Sequence, residues 1–413
     1  MKYGLIAEKL GHSYSKIIHE MIGRYGYDLM PMPEDEVSRF LTNRNFSGIN
    51  VTIPYKSTVI PYLDWISPQA SAIGAVNTIV NKNGKLYGYN TDYAGFKATL
   101  LRFGFDVSGK NVLILGSGGT SKTVSAVCRD LGAKSVFVAS RNPKEGQISY
   151  GAAKEAAIDY IVNTTPSGMY PDTGKSAIET ADYKGVSGVI DVIFNPLRTK
   201  LLLDCEDLGI PCADGLYMLV TQAVASAELF TGIPVKRTDA ERIYKELRKN
   251  TENIVLTGMP GCGKSTVGRL LSEKTGKKFI DTDEELTKTL GNIADFIKEN
   301  GEYAFRQKET EVIKALTADV RGAVIATGGG AVLREENIRA LRENGVIYYV
   351  DRRLSLIEPD GSRPLSSDRE ALKARYLERR GLYEKTCAHR IINNAGPEEA
   401  VRRIMKIQEG RKP

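Results

Sequence analysis

A short apolar run that ends in a glycine-rich turn occurs twice in this chain. The first is Val112-Leu113-Ile114-Leu115-Gly116-Ser117-Gly118-Gly119, and the second is Ile254-Val255-Leu256-Thr257-Gly258-Met259-Pro260-Gly261-Cys262-Gly263-Lys264-Ser265-Thr266. Each reads as a buried strand turning into a helix, with backbone N–H groups and the helix dipole converging on an anion. The second matches the complete phosphate-loop pattern, Lys264 and Ser265 included. The first has no lysine and reads as a dinucleotide turn. A chain with both is expected to bind a nucleotide cofactor and a nucleoside triphosphate at separate sites, as a two-module enzyme. Its 413 residues leave room for two or three domains.

Strand and helix patterns alternate throughout, which predicts an α/β fold with largely parallel sheets. Strands are expected at Tyr3–Ala7 and Gly48–Ile53, the second followed by a helix, and a hairpin joins Ala75–Asn81 to Lys85–Asn90 around Asn83-Gly84. A helix from Asp92 to Phe103 leads to the strand at Val112, and Val136–Ser140, Tyr160–Asn163 and Gly188–Val192 continue that sheet. Tyr217–Phe230 is helical, and Asp239–Lys249 is a charged helix with Ile243 and Leu247 on one face. Asn250-Thr251-Glu252-Asn253 is the expected linker, after which the chain restarts with the strand Ile254–Thr257. The expected divisions are 1–101 (substrate-binding α/β), 102–221 (Rossmann), 222–249 (closing helices), 250–253 (linker) and 254–413 (phosphate-loop α/β with a central parallel sheet).

A net charge of +7, from 57 basic and 50 acidic residues without a lysine or arginine run, argues against nucleic acid as a partner. Five scattered cysteines lack paired metal spacing and read as reduced thiols. The N-terminus runs straight into a strand, and no apolar stretch approaches membrane-spanning length. A cytoplasmic protein acting on small molecules is expected, with no membrane partner.

Four short motifs precede the first glycine turn: Gly11-His12-Ser13-Tyr14-Ser15, Asn50-Val51-Thr52-Ile53-Pro54-Tyr55-Lys56, Gly74-Ala75-Val76-Asn77-Thr78 and Gly88-Tyr89-Asn90-Thr91-Asp92. Each puts hydroxyl, amide or charged groups at the end of an apolar strand, where α/β proteins build sites. Singly they have plain readings: Lys56 as a solvated lysine, Asp92 as a helix N-cap, Ser13 and Ser15 as turn residues. Together they resemble shikimate dehydrogenase over residues 1–249. The resemblance implies that Ser13 and Ser15 hold a substrate carboxylate, that Lys56 and Asp92 carry proton transfer, and that Thr52, Asn77 and Gln222 are further contacts. The implied reaction is reduction of 3-dehydroshikimate to shikimate.

The turn Gly116-x-Gly118-Gly119-Thr120 lacks the third glycine of the usual dinucleotide fingerprint but matches this family's variant. Val136–Ala139 ends in Ser140-Arg141 with no acid before Glu145. A carboxylate there would take the ribose hydroxyls of NAD, whereas arginine suits the 2′-phosphate of NADP. NADP(H) is therefore expected, with Arg141 on the phosphate and Gly215 among the cofactor contacts. Three departures stand out: Lys16 replaces the family's proline, Phe194 replaces a tyrosine before Asn195-Pro196, and Arg141–Tyr160 is too short for the customary helix–strand–helix passage. The Rossmann sheet is expected to be trimmed by about one unit.

In the second module Phe279-Ile280-Asp281-Thr282-Asp283 ends a strand, and strand alternation would put both carboxylates on one face. Phe305-Arg306-Gln307-Lys308-Glu309 puts an arginine on a helix, Val324–Ala326 opens into Thr327-Gly328-Gly329-Gly330, Arg363-Pro364-Leu365 suits a lid, and Arg379 precedes Gly381-Leu382-Tyr383. In this order they resemble shikimate kinase over residues 252–413. The resemblance implies that Arg306 and Arg379 clamp the substrate carboxylate, with Arg380 as the alternative to Arg379. It makes Asp283 the base, with Gly329 and Gly330 beside it. Gly258, Gly261, Cys262, Gly263, Lys264, Ser265, Thr266 and Arg363 would hold ATP, and Ser265 and Asp281 would lie at Mg²⁺. The whole reads as an NADP-dependent dehydrogenase fused to an ATP-dependent kinase, on consecutive steps of the shikimate pathway. The alternatives are a dehydrogenase-like module acting as a shikimate sensor, or one preferring quinate.

Overall fold

Three parallel or mixed sheets, each buried by its own helices, organise the chain. The computed structural model describes residues 2–10, 13–358 and 369–410. It divides into two compact units, Met1–Glu246 and Leu247–Pro413.

The first unit opens with strands β1 (Tyr3–Ala7), β2 (Asp28–Pro31), β3 (Gly48–Val51), β4 (Trp65–Ile66), β5 (Thr78–Lys82) and β6 (Lys85–Tyr89) in the order β2-β1-β3-β5-β6-β4. β1 runs parallel to β2 and β3, whereas β5 is antiparallel to β3 and β6. The β5–β6 turn puts Asn83 and Gly84 at φ 53° and 80°, the primed turn that Asn-Gly favours. Ile6, Val51, Ile79 and Leu86 pack into one core with Val37 and Leu41. β3 stops at Val51, and the expected helix after it is instead a 3₁₀ turn, Ile60–Tyr62, and a short helix, Pro68–Ile73. Pro54, Pro61 and Pro68 supply no N–H and interrupt a longer helix.

The second sheet comprises β7 (Asn111–Leu115), β8 (Ser135–Ser140), β9 (Ile148–Ser149), β10 (Tyr160–Asn163), β11 (Gly188–Asp191) and β12 (Cys212–Ala213), all parallel, in the order β12-β11-β10-β7-β8-β9. The chain leaves β7 for β8 on one side and returns through β10 on the other, so a ligand crevice opens at their carboxyl ends. The expected loss of a unit takes a milder form. All six strands are present, but β9 has two residues and Arg141–Gln147 joins it to β8 without a helix.

The second unit carries β13 (Asn253–Thr257), β14 (Phe279–Asp281), β15 (Val324–Ala326), β16 (Gly345–Asp351) and β17 (His389–Ile392), a parallel sheet of order β14-β15-β13-β16-β17. β13, β15 and β16 are buried along their whole length, which explains their unbroken apolar runs. The four residues expected as a linker are built into ordered elements. The helix Arg237–Thr251 runs through Asn250 and Thr251, and Asn253 starts β13. Thr251, Glu252 and Asn253 are buried, and the Asn253 side chain bridges Val320 O at 3.1 Å and Ala323 N at 2.8 Å. Among the described residues no helix is long and apolar enough to cross a membrane.

Candidate active sites

At the end of β3 the chain turns through Thr52 and delivers Lys56, whose Nζ donates to Asp92 Oδ2 at 2.6 Å. Both side chains are largely buried, at 17% and 12% exposure. Asp92 is not the cap of its helix, Thr91–Phe103. Asn90 is, accepting from Tyr93 N at 3.2 Å, so the Asp92 carboxylate is left for the lysine. Asn77 lies alongside, its Oδ1 accepting from Thr91 N at 2.7 Å and from the Thr78 and Thr91 hydroxyls. That leaves its amide N–H groups as the donors it can present to a ligand.

Beneath these groups lies a buried network that sequence reasoning did not assign. Ser226 Oγ accepts from Asn50 Nδ2 at 2.8 Å, sits 3.0 Å from both Thr78 Oγ1 and Thr91 Oγ1, and donates to Gln222 O at 3.0 Å. Gln222 itself donates to Leu219 O at 2.9 Å. One hydroxyl thus ties the helix of Gln222 to both Asn-Thr pairs. The signal available in the sequence was polar residues at the ends of otherwise apolar strands.

Ser13 caps the helix Tyr14–Ile22, accepting from Ser15 N at 3.3 Å, and Ser15 is buried. From that helix His19 stacks on Tyr27 at 3.9 Å and contacts the Tyr25 hydroxyl at 2.7 Å, while Tyr27 donates to Asn50 Oδ1. Burial pushes the His19 pKa down to about 3. The serine helix is thereby coupled to the network under Asn77. Thr52 is half-buried, its N–H donating to Ile6 O at 3.2 Å. Phe194 packs against Tyr14, ring centres 5.7 Å apart.

The dinucleotide turn has the features of a pyrophosphate cradle. Gly116 adopts φ 96° against Thr165, where a Cβ would lie 2.8 Å from Thr165 Cγ2. Gly118 precedes the helix Gly119–Asp130 with no side chain capping its N–H groups, and space is open around Gly118 and Gly119. Thr120 follows, half-buried. Ser140 lies 3.4 Å from Ser117 at the end of β8, and Arg141 beside it is exposed. Gly215 donates to Ile193 O at 2.9 Å and presses on the Val192 carbonyl, leaving no room for a side chain. These residues fit a 2′-phosphorylated dinucleotide.

In the second unit a cavity of about 790 Å³ is lined by Gly261, Gly263, Lys264, Ser265, Thr266, Asp281, Asp283, Arg306, Gly329, Gly330 and Arg379, among others. Lys264 folds over its own loop, donating to Gly258 O at 2.9 Å and Met259 O at 3.0 Å. Cys262 is fully buried within the loop, its Sγ accepting from Lys264 Nζ at 4.0 Å and its carbonyl accepting from Asn393 at 2.8 Å. Ser265 Oγ donates to Asp281 Oδ2 at 2.7 Å, an oxygen pair suited to a hydrated Mg²⁺ carried in on phosphates. Strand alternation does not place Asp283: β14 ends at Asp281, which caps the helix Thr282–Leu290 by accepting from Asp283 N at 3.0 Å. The two carboxylates reach the cavity as cap and first-turn residue.

Arg306 and Arg379 are buried, at 8% and 3% exposure. Arg379 and Tyr383 both donate to Gly329 O, the former at 3.3 Å, whereas Arg380 is exposed and pairs with Glu384. Arg306 is held by Glu309 at 2.8 Å and Glu302 at 2.9 Å. Glu309 escaped sequence analysis, although its spacing of three from Arg306 puts both on one helical face. Burial raises its pKa, and among the described residues its Oε1 has no partner. A Cβ on Gly328 would lie 2.6 Å from Asp283 Oδ1 and 2.9 Å from that atom, so the two acids flank one glycine. Arg363 lies outside the described residues.

A Rossmann unit with a lysine–aspartate pair is the frame of a dinucleotide-dependent oxidoreductase, and a phosphate loop facing paired arginines that of a phosphotransferase. Residues 5–79 match the shikimate dehydrogenase substrate binding domain, and residues 260–408 match shikimate kinase. The NADP(+) shikimate dehydrogenase of Clostridium perfringens SM101 is 39% identical over 265 residues, covering 60% of this chain and 98% of that protein. A chorismate mutase/shikimate 5-dehydrogenase fusion protein from Clostridium acetobutylicum superposes with TM-score 0.58 at 37% identity, over 60% of this chain and 97% of the other. The Thermus thermophilus shikimate 5-dehydrogenase, solved in complex with NADP(H) and shikimate, gives 0.55 at 29% identity over 60% and 99%. The chain belongs to the shikimate dehydrogenase family and carries a shikimate kinase domain behind it.

Proposed function

We propose that this chain reduces 3-dehydroshikimate to shikimate and then phosphorylates shikimate, as one cytoplasmic polypeptide whose five cysteines stay reduced. The observation that carries the pairing is the second-unit cavity, where the phosphate loop and Asp283, Arg306 and Arg379 line one space. A phosphate loop alone serves many substrates, but two buried guanidinium groups beside a carboxylate base call for an acid that bears a hydroxyl.

In the first unit Ser13 and Ser15 bind the ring carboxylate while Thr52, Asn77 and Gln222 orient the ring hydroxyls. When bound, NADPH would supply the hydride, with Gly118 and Gly119 holding its pyrophosphate and Arg141 its 2′-phosphate. As the hydride reaches the carbonyl carbon, Lys56 gives a proton to the carbonyl oxygen, and Asp92 at 2.6 Å holds the ammonium in place. In the second unit Asp283 accepts the proton of the attacking hydroxyl. Lys264 and Arg363 offset charge on the transferring group, and Ser265 and Asp281 support the ion that accompanies ATP.

Steady-state assay of both half-reactions, with NADPH and NADH in parallel and with quinate beside shikimate in the oxidative direction, tests this reading. Turnover with NADPH and 3-dehydroshikimate and with ATP and shikimate is expected. Failure of either half removes that half, and faster oxidation of quinate reassigns the first.

A further inference from the structure

Two basic residues of the cavity, Arg352 and Arg375, belong to none of the motifs that mark the kinase site. Arg375 lies one helical turn before Arg379 and shares its surroundings. Arg352 occupies a different place, immediately after β16. Among the described residues its side chain makes no hydrogen bond or ion pair, and its Nε is buried without a partner. The nearest acid in sequence cannot serve it: Asp351 gives Oδ2 to Arg390 at 2.6 Å and 3.0 Å, and Oδ1 to the Tyr349 hydroxyl at 3.1 Å. Arg352 lines the cavity, and a guanidinium there without an internal acceptor is arranged for an anion from outside.

The backbone around it is fixed to the phosphate loop. Asn393 N donates to Asp351 O at 2.7 Å on one side, and Arg353 N donates to Asn394 Oδ1 at 2.9 Å on the other. The same Asn393 donates through Nδ2 to Cys262 O at 2.8 Å, inside the loop itself. Val350 O abuts Gly258, where a Cβ would sit only 2.5 Å away. Loop and Arg352 thus share one rigid bracket.

Sheet order decides which anion. Asp281, Asp283 and the glycines that meet Arg306 and Arg379 come from β14 and β15, on one side of β13, whereas β16 lies on the other. The substrate carboxylate is answered on the first side; the nucleotide's phosphates lie on β13 and its loop. We propose that Arg352 is a nucleotide-contacting residue of the kinase, its guanidinium donating to oxygens of the bound triphosphate chain. The assignment rests on the kinase reading and adds to it a residue outside the phosphate-loop motif.

The test uses the full chain and its Arg352→Met and Arg352→Lys variants, with ADP affinity measured by calorimetry over a range of salt concentrations, and KM for ATP and shikimate measured separately. Loss of a charge-assisted contact is expected to weaken ADP binding by about tenfold or more in Arg352→Met and to raise the ATP KM in parallel. Shikimate KM should stay within about twofold, and ADP affinity should fall less steeply with salt because one phosphate contact is gone. Arg352→Lys keeps stem and charge and should retain the salt slope with an intermediate affinity, which carries the test even if the methionine variant does not fold. Unchanged ADP affinity and salt slope in a folded variant, or a rise confined to shikimate KM, overturns the proposal. A wild-type chain that binds ADP but transfers nothing to shikimate overturns the kinase reading instead and leaves the nucleotide contact standing.

Discussion

Gly330 lies against the arginine proposed to hold the substrate carboxylate, and alanine there tests that placement. Its backbone, at φ −98° and ψ −6°, suits any residue, so Gly330→Ala brings no conformational strain. The added methyl would instead overlap Nη1, Cζ and Nη2 of Arg306. To restore a separation of about 3.5 Å the guanidinium must retreat by about 1 Å. Retreat pulls it from Glu309 and Glu302, now 2.8 Å and 2.9 Å away. The moved group is the tip of a flexible side chain, but the buried Glu309 loses part of its pairing, so the unfolding midpoint should also fall. A misplacement of about 1 Å in a clamp costs on the order of 10²-fold, which sets the expected fall in kcat/KM for shikimate. ATP KM and the dehydrogenase rate should hold. Gly329→Ala is the contrast: its methyl would meet Pro260 Cδ and Cγ at 2.7 Å and 2.8 Å, pressing on the phosphate loop and raising ATP KM. A Gly330→Ala enzyme whose shikimate kcat/KM stays within about threefold of wild type would refute the placement of Arg306 at the carboxylate.

Lys56→Ala should lower the dehydrogenase kcat by about 10²- to 10⁴-fold while leaving phosphorylation intact, and NADPH oxidation near the wild-type rate would remove Lys56 as proton donor. Arg141→Ser should raise KM for NADPH by about tenfold or more and leave KM for NADH nearly unchanged; an equal rise in both would place Arg141 elsewhere on the cofactor. For pH, His19 is depressed from 6.5 to about 3 by burial, so its stabilising effect is complete above pH 6.5 and is lost as pH falls towards 3. Asp191 is raised by burial from 3.8 to about 7, so its effect is present below 3.8 and is lost as pH rises through 7. The two slopes oppose each other between pH 4 and 6.5, and Asp191→Asn should uncover the His19 slope of about 1.4 kcal/mol per pH unit in urea unfolding. A variant as flat as wild type between about pH 5 and 6.5 would dispose of that balance.

The elements that position both sites were legible because each ends in a residue pattern with one physical use. The apolar run into Gly116 is β7 and its helix; the run into Gly258 is β13 and its loop; Asn83-Gly84 is the β5–β6 turn. What escaped depended on partners far away in sequence. β2, Asp28–Pro31, has no alternating pattern and exists because β1 offers it a parallel edge. Asp283 looked like a strand residue because Asp281 and Asp283 are spaced by two, yet the helix cap at Asp281 turns the chain first. The segment expected as a linker is polar in composition, but Asn253 satisfies Val320 and Ala323 and is drawn into the sheet. Ser226 carries no motif, and only the packing of its helix gives it Asn50, Thr78 and Thr91 as partners.

The two proposed sites answer one ring carboxylate with different donors, and the charges around them give the reason. In the first unit the proposed carboxylate contacts are neutral hydroxyls, and the charged pair assigned to the reaction, Lys56 and Asp92, lies 2.6 Å apart. Reduction there would take a proton from Lys56, and the positive charge given up would reappear on the oxidised cofactor, so the total charge of the site would not change. A cationic clamp on the carboxylate would add nothing to that step and would hold the product more tightly. The second cavity must instead hold the carboxylate and a triphosphate together, two anions that repel across a few ångström. Its lining carries Lys264, Arg306, Arg352, Arg375 and Arg379 against Asp281, Asp283 and Glu309, an excess of cations among the protein's own groups. Burying that excess is costly unless anions complete it. The same imbalance therefore drives the cavity to take both substrates, and gives Glu309 its place between Arg306 and Asp283 as the internal counter-charge.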